Sequence, residues 1–578
     1  MKKNRLRHRK LPEVYPEFTH DIPLLLQRIY ALRGVTSMHE LDYTTRNLCN
    51  YDKLEGIEKA VEILFLAMKN NERIMVVGDF DTDGATSTAL TVKALKNMGC
   101  LFVDYIIPDR FDDGYGLSVS VVKKAILQRA QLIITVDNGI SANEGVDFAK
   151  QSGLSVIITD HHLCPAQLPN ADAIINPNLP DCIFPSKHLA GVGVAFYFML
   201  ALRAKLRQEN WFANNNLTEY NLANLLDLVA LGTIADVVKL DHNNRILVHQ
   251  GVNRIRSGYC SEGIKALLQI SKKEPTSITS TDLAFYIAPR LNAAGRMDNM
   301  TLGVQLLLCD DYESAISKAT DLNNLNNDRK LIEQTMHKEA LSFIQEIEKQ
   351  NASIPSLLVF YHPEWHQGII GILSARLKDK YYRPVISFAS TQDGFLKGSG
   401  RSIPGIHLRD FIDELNQQHP DLIVSFGGHA MAVGLTIREE DLERFRSCFE
   451  ALVNTRLHPD VLEQIIETDG EIDKQDFTYA IAKQLKESGP WGEGFGTPIF
   501  DGEFIIHQQL LFADKHLKLV LEPKNGGPLI EGIFFNVNRQ QWPDQSIKNV
   551  QVVYHLDVDE FRGNQAPQLM IKHLWPIA

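Results

Sequence analysis

Three short acidic motifs, each placed where a β-branched apolar run stops, constrain this chain more than any other feature. Ile74-Met75-Val76-Val77 leads into Gly78-Asp79-Phe80-Asp81-Thr82-Asp83-Gly84. Leu132-Ile133-Ile134-Thr135-Val136 leads into Asp137-Asn138-Gly139, and Val156-Ile157-Ile158-Thr159 into Asp160-His161-His162. Short apolar runs separated by helix-length segments read as buried strands of a parallel sheet. In an open α/β sheet the carboxyl ends of the strands share one edge, where ligands bind. Motifs far apart in sequence therefore converge there. Clustered carboxylates repel unless something positive neutralises them, and carboxylates with an imidazole suit divalent ions such as Mn2+ or Mg2+.

Taken singly, each motif has a plainer explanation. Asp-x-Asp-x-Asp-Gly opens like a calcium loop, but its twelfth position is Leu90 rather than an acid. Acidic residues also form turns and cap helices, and Ala85-Thr86-Ser87-Thr88-Ala89-Leu90 begins one. A fourth motif, Gly232-Thr233-Ile234-Ala235-Asp236-Val237-Val238, follows the apolar residues 225–231. Turn and cap chemistry does not account for four such motifs at successive element ends.

The chain has 578 residues, enough for several domains and a sizeable core. No stretch approaches the roughly 18 apolar residues of a membrane span. The basic start, residues 1–10, is not followed by the apolar core of a signal peptide, and reads as a flexible arm, either touching nucleic acid or simply solvated. Seven cysteines without Cys-x-x-Cys spacing indicate neither a zinc site nor a disulfide framework, which points to the cytoplasm. The formal net charge of -12 lowers the expectation of tight nonspecific duplex binding. It leaves a local basic cleft open.

Five segments follow from the patterning. Residues 1–48 form the arm, and 49–301 alternate strand and helix as in a parallel sheet. Residues 302–350 form a connecting helix, with Leu322, Leu325, Leu331, Met336, Ala340 and Ile344 at helical spacing. Residues 351–460 form a second α/β segment with strands at 357–360, 384–388 and 423–426, the last two followed by glycine-rich turns. Residues 461–578 hold five short strands, at 499–506, 517–521, 530–535, 550–556 and 569–574. An OB-fold or another small barrel fits them equally well on composition.

The motifs together resemble the DHH phosphoesterase superfamily. Pro108-Asp109-Arg110, Gly114-Tyr115-Gly116, the run from Ala288 to Met297, Trp365-His366-Gln367-Gly368-Ile369-Ile370-Gly371, Ser399-Gly400-Arg401-Ser402 and Gly427-Gly428-His429 resemble, more narrowly, its bacterial branch of single-strand-specific exonucleases. The resemblance spans residue 45 to the C-terminus. It implies a DHH parallel-sheet domain, a connecting helix, a second α/β domain of the DHHA1 type and a C-terminal OB-fold β-barrel. The implied activity is two-metal phosphodiester hydrolysis of single-stranded DNA from the 5′ end to 5′-mononucleotides, in recombination and repair, beside a helicase and a single-strand-binding protein. Relatives with the same core that cleave short oligoribonucleotides or cyclic dinucleotides are generally shorter or lack the barrel.

The resemblance also implies a site. Asp79 and Asp81 would hold one Mn2+ or Mg2+, Asp83, His161 and Asp236 the other, with Asp137 bridging. His162, displaced from ligation by its neighbour, is assigned to the scissile phosphate as donor or proton source. Arg290 is the candidate for charge stabilisation there, because guanidinium grips phosphate oxygens in a fork; its alternative is a salt bridge between domains. Asn292 and Arg296 either line the same wall or order the loop. His366 and His429 either approach substrate or are structural. Arg110, Ser399 and Arg401 would grip the 5′ phosphate, and Tyr115 either stacks on a base or packs its turn.

Overall fold

The computed structural model describes residues 5–577 except 111, 350–353, 392, 514, 538–541 and 561–562. The chain divides into two compact units, one of Met1–Arg7 with Asn324–Ile466, the other of His8–Asn323 with Glu467–Ala578.

The basic start is not a free arm over its described residues. Strand β1 (Arg5–His8) belongs to a two-stranded sheet with β12 (Ile465–Thr468). Arg9 and, further on, Arg33 both reach the buried Asp469, at 2.7 and 2.6 Å. Arg33 sits just past the helix Leu24–Leu32, which buries Leu25, Leu26, Ile29 and Tyr30. The Tyr30 ring stacks against Trp491 and Phe495. The N-terminal segment is thus tied to the start of the C-terminal domain by a buried ion pair and an aromatic stack.

The larger unit is built on five parallel strands: β2 (Ile74–Val77), β3 (Val103–Ile106), β4 (Leu132–Val136), β5 (Ser155–Thr159) and β6 (Ala173–Ile175). They lie in the order β3-β2-β4-β5-β6. That is a doubly wound sheet whose order reverses between β2 and β4, and ligands bind at such a switch point. β2 and β4 are buried along their whole length, as their unbroken apolar runs require. Met75, Val77, Ile133, Val156 and Ile158 face the helices Val119–Leu127 and Asn143–Gln151 on one side. The helices Thr82–Asn97 and Gly191–Gln208 pack on each other and on β4.

The helix after the first motif starts at Thr82, earlier than the run from Ala85 to Leu90 suggests, because Asp81 caps it by accepting from the Gly84 N–H at 3.0 Å. This helix is central although it looks polar. Thr86 and Thr88 are buried and return their hydroxyls to the carbonyls of Thr82 and Gly84.

The connecting segment is not one helix. Thr301–Leu308 ends first, and a 38-residue helix, Tyr312–Lys349, begins after Asp311 accepts from the Ser314 N–H at 2.7 Å. Gln350 lies outside the described residues.

In the smaller unit a mixed sheet runs β10-β11-β9-β8-β7, comprising β7 (Leu358–Tyr361), β8 (Val385–Ser390), β9 (Phe395–Arg401), β10 (Ser425–Gly428) and β11 (Ala432–Arg438). Only β7 and β8 are parallel to one another. Ile386, Phe388, Val433 and Leu435 pack with Ile412 and Phe445 from the helices Leu408–Gln418 and Leu442–Arg456.

The C-terminal strands β13 (Phe500–Phe512), β14 (His516–Pro523), β15 (Ile530–Phe534), β16 (Asn549–Asp559) and β17 (Ala566–Pro576) close a barrel in the order β13-β14-β15-β17-β16. β15 and β17 are parallel, and every other pair is antiparallel. Five strands so connected make an OB-like barrel, which decides between the small-barrel alternatives.

Candidate active site

The switch point gathers the acidic motifs. Asn138 bolts it together: its buried side-chain amide donates to the carbonyls of Val77 (3.0 Å) and Val136 (2.9 Å), the last residues of β2 and β4. Asp137, beside it, holds a left-handed backbone with φ 61°. A non-glycine residue there is strained, and such strain gathers at functional positions.

Carboxylate oxygens of Asp79, Asp81 and Asp137 lie within 4.8 Å of one another, as do ligating atoms of Asp83, His161 and Asp236, and those of Asp137, His161 and His162. His161 Nε2 is 3.1 Å from Asp137 Oδ1, 3.5 Å from Asp236 Oδ2 and 4.0 Å from Asp83 Oδ2. All six residues assigned to the metals from sequence are therefore brought together: Asp137 belongs to the group of Asp79 and Asp81 and also to that of His161 and His162, and His161 links it to Asp83 and Asp236.

The electrostatics favour a bound cation. Burial, then the neighbouring carboxylates, raise Asp79, Asp137 and Asp236 well above the ordinary range. The same causes push Asp83 up to about 7, against two helpful N–H groups. Asp137 Oδ1 is buried and accepts no hydrogen bond from the described residues. Ions of the Mn2+ or Mg2+ class suit this set of oxygens and one imidazole, and would relieve the repulsion.

Two supports escaped the sequence reading. The helix Gly191–Gln208 points its first N–H groups at Asp83: Gly191 N donates to Oδ2 at 2.6 Å and Val192 N to Oδ1 at 3.0 Å. A helix N-terminus stabilises a carboxylate in this way. Asp160 is not in any of the three clusters. Its Oδ1 takes the N–H groups of His161 (2.7 Å) and His162 (3.1 Å), and its Oδ2 that of Ile140 (2.9 Å). Asp160 Oδ1 also lies 2.7 Å from His162 Nδ1. Burial works against the His162 imidazolium, but this contact and the surrounding carboxylates push its pKa up to about 9. Asn178 and Asn176 hold the carbonyls of His161 and His162. The signal for these asparagines was their position just past β6, on the same sheet edge.

Arg110 lies over the Phe80 ring, 4.1 Å from its centre. Burial lowers its pKa while Asp79 and Asp81 oppose that. Tyr115 is 52% exposed and sets its ring edge against Phe80 and His162. Asn292 Oδ1 accepts from both the N–H and the hydroxyl of Thr82, at 2.9 Å each, so it orders the loop that carries Asp79, Asp81 and Asp83. Arg290 donates Nε to Asn323 at 3.1 Å and Nη1 to the Tyr286 carbonyl. No salt bridge of Arg290 occurs among the described residues. Arg296 is half-buried on the same helix, Ala288–Met297.

His366, Ser399, Arg401 and His429 belong to the smaller unit. There Arg401 Nη1 donates to Ser399 Oγ at 3.2 Å and to the Gly400 carbonyl at 2.8 Å. Gly371, in the first turn of the helix Ile370–Tyr381, leaves no room for a side chain beside them. A Cβ there would lie 2.9 Å from Ser399 Oγ and 3.0 Å from Arg401 Nη2. Burial lowers the Arg401 pKa, and no carboxylate pairs with it among the described residues. His366 is half-buried, its Nδ1 accepting from the Gly368 N–H at 3.1 Å, and His429 is exposed.

A doubly wound sheet with this acid–imidazole edge, a mixed-sheet domain and an OB barrel define a phosphoesterase of the DHH class. Residues 73–233 match the DHH family N-terminal domain, 355–455 the DHHA1 domain and 468–573 the RecJ OB domain. The chain is 53% identical over 569 residues to the single-stranded-DNA-specific exonuclease RecJ of Dickeya dadantii, covering 98% of this chain and 99% of that one. It is 51% identical to the Escherichia coli protein of the same name, with 99% of each covered. The chain belongs to the RecJ family. A crystal structure of RecJ from Thermus thermophilus in complex with Mn2+ superposes with a TM-score of 0.80 at 26% identity, covering all of this chain and 80% of that one. No helix among the described residues is long and apolar enough to cross a membrane.

Proposed function

We propose that this chain is a metal-dependent exonuclease that hydrolyses single-stranded DNA from the 5′ end to 5′-mononucleotides, in recombination and repair. The observation that carries this reading is the convergence of Asp79, Asp81 and Asp137 with Asp83, His161 and Asp236 in a chain about half identical to named single-stranded-DNA-specific exonucleases. Two Mn2+ or Mg2+ ions, when bound, supply an acidic water and neutralise the phosphoryl oxygens.

The protein's own groups divide the remaining work. Asp137, grouped with Asp79 and Asp81 and 3.1 Å from His161, would be the carboxylate shared between the two ions. Asp160 aligns His162 and keeps it protonated, so that His162 donates a proton toward the departing oxygen. Arg290 retains guanidinium N–H groups for the scissile phosphate, and no carboxylate among the described residues pairs with it. Arg401 and Ser399, beside the first turn of a helix, suit a terminal phosphate, and a fixed 5′ terminus makes cleavage exonucleolytic. On the barrel Phe512, His516 and Phe535 form a partly exposed aromatic row, with centroids 5.3 and 4.9 Å apart, of the kind on which bases stack. The same reading has the enzyme work in the cytoplasm beside a helicase and a single-strand-binding protein.

Digestion of 5′-labelled single-stranded DNA, duplex DNA and RNA under a metal series tests it. The expected first product is the labelled 5′-mononucleotide, from single-stranded DNA alone and only with Mn2+ or Mg2+. Internal fragments, or equal attack on duplex, would overturn the assignment.

A further inference from the structure

We propose that the larger unit carries a second ligand site, a cavity for a nucleoside monophosphate at the far ends of the two helices that deliver Asp83 and Asp236. The cavity is about 230 Å³ and is lined by Lys93, Tyr220, Asn224, Arg254, Tyr259 and Ser261, with Asp227 in its wall. Lys93 follows Asp83 by ten residues on the helix Thr82–Asn97, about 15 Å along its axis. Asp227 opens the helix Leu226–Ala235, and Asp236 caps its other end, about 13 Å away. The two helices pack against each other. The cavity is therefore a place apart from the metal cluster.

Its lining matches the parts of a nucleotide. Arg254 and Lys93 supply the positive charge a phosphate needs. Arg254 donates Nη2 to Asn224 Oδ1 at 2.8 Å, while its buried Nε finds no hydrogen-bond partner among the described residues. Lys93 lies 3.4 Å from Asp310, a carboxylate 96% exposed, and such a pairing is weak in water. Tyr259 is 70% exposed beside the cavity and Tyr220 is half-buried, giving aromatic faces for a base. Ser261 Oγ is buried in the lining beside Asp227, and the Asn224 side chain adds a second polar group for the sugar or base edge. Asp227 would repel a phosphate if bare. Its two oxygens are taken by the N–H groups of Leu228 (2.9 Å) and Ser261 (2.7 Å), and burial raises its pKa. Two cations, two tyrosines and the polar side chains of Asn224 and Ser261 favour a nucleotide over free phosphate, which uses only the cations.

The choice of ligand rests on the nuclease reading, since an enzyme releasing 5′-mononucleotides makes this ligand itself. Calorimetric titration of the full-length protein with dAMP, dTMP and inorganic phosphate, in the presence of EDTA, tests the site without metal at the catalytic cluster. Saturable binding of dAMP is expected, weakened about tenfold or more in Tyr259→Ala, in Lys93→Ala and in Arg254→Gln, with phosphate far weaker. Tyr259 is exposed, so its variant retains the fold, and melting curves verify the other two. Absence of dAMP binding, binding indifferent to all three substitutions, phosphate binding as tightly as dAMP, or binding only of single-stranded oligonucleotides would each overturn the proposal. A chain that failed to digest DNA would leave this binding result untouched, so the two failures are distinguishable.

Discussion

Gly191 and Asp137 are so close that a methyl group on the glycine would sit 2.4 Å from the aspartate Cβ and 2.5 Å from its Oδ1. The same glycine donates its N–H to Asp83. Gly191→Ala should therefore displace the helix start and both carboxylates. Overpacking of this kind costs about 1–3 kcal/mol. A lower melting midpoint together with a large loss of nuclease activity is expected; wild-type values for both would mean that the helix shifts without consequence.

Asp137→Ala should act the other way on the fold. Removing one carboxylate from a repulsive cluster need not destabilise it, while both proposed ion positions lose a ligand. Mn2+ should raise the melting midpoint of the wild type and no longer do so in the variant. Turnover should fall to about a thousandth or less. Near-normal hydrolysis by folded Asp137→Ala would remove the bridge from the mechanism.

Arg401→Ala should separate two kinds of substrate end. Losing a charge-assisted hydrogen bond to phosphate costs about 1.5–3 kcal/mol, or roughly 10- to 100-fold. Digestion of 5′-phosphorylated strands should drop by that factor and that of 5′-hydroxyl strands much less. Equal losses on both would show that Arg401 serves elsewhere.

Asp469 sets a pH dependence of stability. Burial disfavours its charge, but hydrogen bonds and charge from Arg33, with Arg9 and the Ile499 N–H, outweigh that and lower its pKa. A depressed carboxylate pKa contributes stability that is present above the unfolded value of about 4 and is lost as pH falls through the lower folded value. Asp469→Asn, which leaves Arg33 buried without its charge partner, should cost about 3 kcal/mol at pH 7. The difference in melting midpoint from wild type should narrow below about pH 4. A gap constant down to pH 2 would show that the ion pair is not what Asp469 contributes.

The segment leading into the barrel is not a detachable accessory. Trp491 bonds through its N–H and carbonyl to Ser280, and Leu240 donates to the Glu493 carbonyl at 2.8 Å. Arg245 lies 4.4 Å over the Phe495 ring. Deleting residues 467–578 should expose this apolar seam and lower the melting midpoint or cause aggregation. Phe512→Ala with Phe535→Ala is the gentler probe. It should weaken binding of long single strands by about 1–3 kcal/mol per stacked base and leave hydrolysis at saturating substrate intact. Unchanged affinity would assign the barrel another task.

The acidic edge was legible because strand ends are marked locally, by a β-branched run that stops and an acid that follows. Asp79, Asp137 and His161 could thus be placed on one edge from residues within a few positions of each. The supports were not legible in this way. Gly191 holds Asp83 from 108 positions away, and a glycine carries no chemical signature of its own. The basic start reads as an arm because no local pattern marks what Arg9 pairs with; its partner, Asp469, comes 460 positions later. The small-barrel alternatives likewise differ in strand order rather than strand composition, so only the β15–β17 pairing separates them.

The left-handed backbone of Asp137 has an evolutionary corollary. A non-glycine residue pays about 1–2 kcal/mol for that conformation, and glycine would be released from it. The most accessible inactivating change at the switch point is therefore one the fold welcomes. Stability gives no protection to this carboxylate, and only selection for activity keeps it in place. Lineages freed from that selection would drift toward well-folded, silent copies of this architecture rather than toward unfolded ones.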